Sequence, residues 1–148
     1  QDWVRILSKR EKTVLLSFGS VAKAAYLPVR TIKALPDVTF IWKYEEDDDF
    51  TRDHASKLTN LELTKWMPQV DLLAHSNLSL FITHGGMGST QETALRGVPG
   101  IFIPLFGDQP RNAGMMEHNG FGKVLDKADV LNPAKFVAVI REVLENKR

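Results

Sequence analysis

Several strand-length runs in this sequence are apolar almost without interruption, and each gives way to a helical stretch or to turn residues. They are "TVLLSF" (Thr13 to Phe18), "VTFIWKY" (Val38 to Tyr44), "LSLFIT" (Leu78 to Thr83) and "GIFIPL" (Gly100 to Leu105). A strand with one wet face alternates apolar and polar residues, whereas an unbroken apolar run must be buried on both faces. Helices therefore have to lie above and below the sheet, and strands joined through helices run parallel. Right-handed crossovers then give an α/β fold, a Rossmann-like doubly wound parallel sheet.

The intervening segments fit this reading. A helical stretch from about Ala22 to Ala34 ends at "LPD", "LELTKW" (Leu61 to Trp66) is a short strand, and "VDLLAH" is a short helix. "STQETALRG" reads as a helix closed by Gly97, and "QPRNAGMMEHNG" as one with Pro110 in its first turn and Gly120 past its end. In the last helix Asn132 can cap and Pro133 suits the first position, with Phe136, Val137, Ile140, Val143 and Leu144 on one face. The charged run from Glu45 to Asp53 reads as a solvated loop.

The chain has 148 residues, which suits one domain, residues 1–148, and leaves little room for two. Its 19 basic and 18 acidic side chains nearly cancel. That balance removes the electrostatic footprint expected of a nucleic-acid binder. Cysteine is absent, which excludes disulfides, thiolate nucleophiles and cysteine-zinc sites. His54, His75, His84 and His118 lack metal-ligand spacing, so no metal is expected. No run approaches the ~18 apolar residues of a membrane span. The start at "QDWVRILSKR" and the stop at "ENKR" read as the ends of a piece cut from a longer chain.

In a doubly wound sheet, ligands bind beyond the carboxyl ends of the strands. The loops of interest follow Phe18, Lys65, Thr83 and Leu105. After Thr83 comes "HGGMGS", with a helix starting near Ser89. The first N–H groups of that helix lack internal partners, and its dipole favours an anion. Gly85, Gly86 and Gly88 let the backbone approach a bulky phosphate group. The same glycines could serve turn geometry alone. The pattern is neither GxGxxG nor a Walker loop, which disfavours a Rossmann oxidoreductase and nucleoside-triphosphate chemistry.

His84 at the mouth of the turn can donate to a phosphate oxygen or bond local backbone. Glu92 completes a capping box with Ser89, yet a carboxylate one turn into such a helix can also accept from a ribose diol. Asp108 can be a plain N-cap, and with Gln109 it also offers the acceptors and donors that read adjacent sugar hydroxyls. Trp66, ahead of Met67, Pro68 and Gln69, is either core or a platform for a flat base. Ser20 supplies a hydroxyl in the first loop. Together these form a base platform, a ribose acceptor, a diphosphate cradle and a sugar reader on one sheet edge, which are the parts of a nucleotide sugar.

The stretch "FITHGGMGSTQETALRGVPGIFIPLFGDQ" resembles the signature of the UDP-glycosyltransferases, the group that includes the UDP-glucuronosyltransferases. "WMPQVDLLAH" and "LLSFGS" resemble two further segments of that family. The resemblance implies the C-terminal, donor-binding half of a two-domain GT-B glycosyltransferase. By position it implies Trp66 and Gln69 at uracil and ribose, and His84, Ser20 and the Gly86, Gly88 and Ser89 backbone at the diphosphate. Glu92 would then hold the ribose, and Asp108 and Gln109 the transferred sugar. It further implies inverting transfer to a small lipophilic acceptor, with the catalytic base in the protein's own N-terminal acceptor-binding domain, so that this piece alone is inactive. No cofactor beyond the UDP-sugar substrate is implied, and a homo-oligomer is compatible with the family. For the full-length protein the resemblance implies the endoplasmic reticulum membrane, lumenal side. Gly88 stands where many members carry Asn, and Gly100 stands where a bulkier apolar residue is usual; the second departure is expected to bear on packing. A non-catalytic UDP-sugar-binding or scaffolding module is the alternative.

Overall fold

The computed structural model describes residues 3–17, 29–43, 58–64, 71–72, 74–75, 77–83, 97–103, 109–120, 122–126, 129 and 132–145. In chain order the elements are α1 (Trp3–Ser8), β1 (Lys12–Ser17), α2 (Val29–Lys33), β2 (Val38–Lys43), β3 (Leu61–Thr64), β4 (Leu78–Thr83), β5 (Gly100–Phe102), α3 (Gln109–His118), β6 (Gly122–Val124) and α4 (Pro133–Glu145). Among the described residues the strands form a single six-stranded sheet in the order β3-β2-β1-β4-β5-β6. Every pairing is parallel. The chain builds outward from β1 through β2 to β3, then crosses back to lay β4 on the other side of β1. That reversal is the topological switch point of a doubly wound fold.

The unbroken apolar runs are explained by burial on both faces. On one face Val14, Leu16, Phe40, Trp42, Leu80, Ile82 and Ile101 pack with Ile32 of α2 and with Phe136, Ile140 and Val143 of α4. On the other, Leu15, Ile41 and Phe81 pack with Ile6 and Leu7 of α1, with Leu72 and Val98 joining them. Phe102 of β5 meets Ala113 and Met116 of α3. The α4 cap is the expected one: Asn132 Oδ1 accepts from Lys135 N at 3.3 Å, and Pro133 opens the helix. Val137 and Leu144 are half-buried beside the three core residues. Gly97 and Gly120 have φ of 69° and 79°, the left-handed conformation expected of helix-closing glycines. The helix expected before Gly97, most of the Ala22–Ala34 helix, and the Glu45–Asp53 loop lie outside the described residues.

Two elements escaped the sequence reading. Helix α1 has only six residues, too few for a helical period to show, and the burial of Ile6 and Leu7 holds it against the sheet. Strand β6 has three residues, half-buried and exposed by turns, too short to show a period. It pairs Gly100 with Gly122. A Cβ at Gly122 would overlap the Gly100 carbonyl oxygen, and a Cβ at Gly100 would overlap the Phe102 ring. The expectation that Gly100 concerns packing is met in this form: the ring of Phe102 occupies the space a larger residue would need.

At the amino edge of the sheet, polar side chains tie elements together. Asn60 is buried, and its Nδ2 donates to the carbonyls of Ile32 and Leu35 at 2.9 Å each and of Val38 at 3.2 Å. Its own carbonyl accepts from Phe40 N at 2.7 Å. The Ile32 and Leu35 carbonyls also accept from Leu35 N and Val38 N, so Asn60 adds a second bond to each and joins the segment after α2 to the start of β2. Asn77 Nδ2 donates to Leu7 O while its carbonyl receives Thr13 N, linking α1, β1 and β4. Arg141 of α4 grips Asp37 with two bonds of 2.7 and 2.8 Å.

Asn60→Asp, which turns the donor into an acceptor facing three carbonyls, should lower the free energy of unfolding by on the order of 3 kcal/mol and exceed the loss from Asn60→Ala. Urea denaturation of both variants checks the order. Gly122→Ala should destabilise by about 1–3 kcal/mol, because backbone rather than a side chain must yield; an unchanged thermal midpoint would refute the close β5–β6 approach.

Candidate functional site

Register carries the strand ends into one row. Thr64 pairs with Lys43, Lys43 with Ser17, Ser17 with Thr83, Thr83 with Phe102, and Phe102 with Val124. Neighbours in such a row stand about 4.8 Å apart across the sheet. The carboxyl ends of β1 and β4 are therefore side by side at the switch point, and residues 18 and 84 follow them in the chain. Beyond β5, Ile103 N still bonds Thr83 O at 2.8 Å, so that strand continues to the same edge.

Each predicted site residue follows one of these ends in the chain. Ser20 comes after β1, Trp66 and Gln69 after β3, His84 directly after Thr83, then Gly86, Gly88, Ser89 and Glu92, and Asp108 after Ile103. These nine lie outside the described residues. Gln109 is the first residue of α3. The structure thus brings together the ends from which the site segments depart, with those of Ser20 and His84 adjacent.

The row itself contains residues that the sequence reading passed over. Four successive strands end on a polar residue: Ser17, Lys43, Thr64 and Thr83. Ser17 and Thr83 are buried, while Lys43 and Thr64 are half-buried. The signal was available, since "TVLLS", "VTFIWK" and "LSLFIT" each close an apolar run with a group able to hydrogen-bond. The shifted titrations belong to other places. Hydrogen bonding and charge from the Arg141 guanidinium hold the Asp37 carboxyl below its ordinary range, and the Lys135 ammonium 2.7 Å away does the same for Asp129. Both are exposed ion pairs that fasten α4. Among the described residues no three His, Asp or Glu side chains gather as metal ligands, and no helix is long and apolar enough to cross a membrane.

With this geometry in hand, known proteins supply a second line of observation. A family model described as "UDP-glucoronosyl and UDP-glucosyl transferase" matches residues 6–148. The protein ugt-56 of Caenorhabditis elegans, which bears a UDP-glucuronosyltransferase name, is 39% identical over 151 aligned residues, covering 97% of this chain and 29% of that protein. Among solved structures, Os79 from O. sativa in complex with UDP matches with a TM-score of 0.75 at 26% identity, over 98% of this chain and 35% of that one. The glycotransferase of kitacinnamycin matches with a TM-score of 0.78 at 29% identity, over 93% and 36%. The chain spans less than two fifths of the length of each of these relatives.

Proposed function

Because the chain belongs to the UDP-glucuronosyl and UDP-glucosyl transferase family, we propose that the carboxyl edge of its sheet binds a UDP-sugar donor, of the UDP-glucuronate or UDP-glucose class. The observation that carries this reading is the registration of Ser17 with Thr83 at the switch point. It sets the strand ends that precede the Ser20 and His84 segments next to each other, in a fold whose match to a UDP complex covers 98% of the chain. In this reading Trp66 and Gln69 take uracil and ribose, and Glu92 accepts from the ribose hydroxyls. His84, Ser20 and the backbone of Gly86, Gly88 and Ser89 receive the diphosphate, and Asp108 and Gln109 hold the sugar.

The chemistry is an inverting displacement. The acceptor oxygen of a small lipophilic alcohol or phenol bonds to the anomeric carbon while the sugar–phosphate bond breaks and its electron pair leaves with UDP. The acceptor proton passes to a base in the N-terminal domain of the full-length protein. The groups of this chain stabilise the leaving diphosphate, where negative charge grows as the bond breaks. A single preorganised donor of this kind lowers a barrier by roughly 3–4 kcal/mol in other enzymes. His84 and the helix N-terminus supply that positive potential without a divalent ion. In the full-length protein the domain faces the lumen of the endoplasmic reticulum, a placement that protease protection of sealed microsomes tests.

Calorimetric titration should give a UDP isotherm that persists in EDTA, no heat with NAD, and a His84→Ala variant at least about tenfold weaker, as loss of a charge-assisted bond implies. Absence of UDP heat at millimolar ligand, with His84→Ala unchanged from wild type, would overturn the donor-site reading. The same titration with UDP-glucose, UDP-glucuronate and UDP-N-acetylglucosamine ranks the donors. The 148-residue chain mixed with UDP-sugar and a phenolic acceptor should show no turnover.

Glu92→Gln keeps the cap but loses a charged acceptor for the ribose. It should bind UDP about tenfold more weakly at an unchanged denaturation midpoint. A lower midpoint with unaltered affinity would assign Glu92 to the helix cap alone.

A further inference from the structure

Thr83 ends β4 with its side chain fully buried, and its Oγ1 has no hydrogen-bond partner among the described residues. A buried hydroxyl left unbonded is less stable than the valine that would fill the same volume. Its position suggests where the compensation lies. Thr83 is in register with Ser17 of the central strand. By strand alternation it shares the face of Phe81, and Ser17 shares the face of Leu15, which pack in one layer. The two hydroxyl-bearing residues are therefore neighbours on one face at the switch point, and His84 follows Thr83 in the chain. Thr13 and Thr31 also carry buried hydroxyls without partners among the described residues. Thr13, however, lies at the amino edge, near the start of β1, and Thr31 lies within α2. Of the three, Thr83 alone immediately precedes the glycine-rich segment in the chain.

We propose that the Thr83 hydroxyl is a positioning group for the donor, one that acquires its hydrogen-bond partner in the diphosphate-bound state and acts through the backbone that leads into His84. The inference rests on the donor-site reading above. In the free protein the hydroxyl is a local cost. In the bound protein the new bond adds to affinity, so binding and stability respond in opposite directions when it is removed.

The test uses the 148-residue chain with UDP as ligand, following calorimetric affinity and urea denaturation for Thr83→Val, Thr83→Ser and Thr13→Val. Thr83→Val should bind UDP about three- to tenfold more weakly, the range a neutral hydrogen bond spans, while its denaturation midpoint equals or exceeds that of wild type. Thr83→Ser, which keeps the hydroxyl, should bind within about twofold of wild type. Thr13→Val should match the midpoint behaviour with unaltered affinity. Unchanged affinity in Thr83→Val would overturn the proposal. A Thr83→Val midpoint below wild type would also overturn it, by showing that the hydroxyl is already bonded in the free protein. Failure of the wild-type chain itself to bind UDP would remove the donor-site reading and this inference with it, an outcome distinct from the other two because wild type is measured alongside.

Discussion

The architecture depends on the position of β1, which bonds to β2 on one side and to β4 on the other. A strand with neighbours on both edges and cores on both faces has no contact with water along most of its length, so its residues must be apolar and its backbone fully paired. Val14, Leu15 and Leu16 meet the first demand, all buried and divided between the two cores. The parallel direction meets the second only if helices carry the chain back each time. Once β1 is central, the order reversal beside it follows, and that reversal is what opens an edge to a ligand.

The two edges of the sheet are used differently. At the amino edge, Asn60, Asn77, Arg10 and Arg141 are bonded to carbonyls or to partner side chains of neighbouring elements, so polar groups there hold the fold. At the carboxyl edge β1, β2, β3 and β4 each end on a polar residue.

Much of this was legible in the residues. Continuous apolar runs reported burial on both faces, and the Asn132-Pro133 start and the Gly120 finish of the last two helices reported backbone conformations that few other residues favour. Helix α1 and strand β6 were not legible, because six and three residues are too few for a period to emerge. Their existence is decided by distant partners: Ile6 and Leu7 by the layer of Leu15 and Phe81, and Gly122 by Gly100. For the candidate site, the sequence named the strand ends to inspect, and the register supplied their order and adjacency. The assignment of Trp66, Glu92 or Asp108 to one part of a ligand came from family resemblance. The row of polar strand ends went unnoticed because a single serine or threonine after an apolar run looks like an ordinary terminus until the strands are laid side by side.

The packing of α4 has a consequence for synthesis. Val14 and Leu16 lie near the start of the chain, and their face is covered by Phe136, Ile140 and Val143 near its end. A ribosome releases residues in order, so the nascent sheet carries an open apolar face until the last helix has emerged. Thr13 must likewise wait for Leu78, and Val14 for Leu80, before the central pairing can close. Such non-local contacts slow folding and lengthen the interval in which strand edges and apolar surface are exposed.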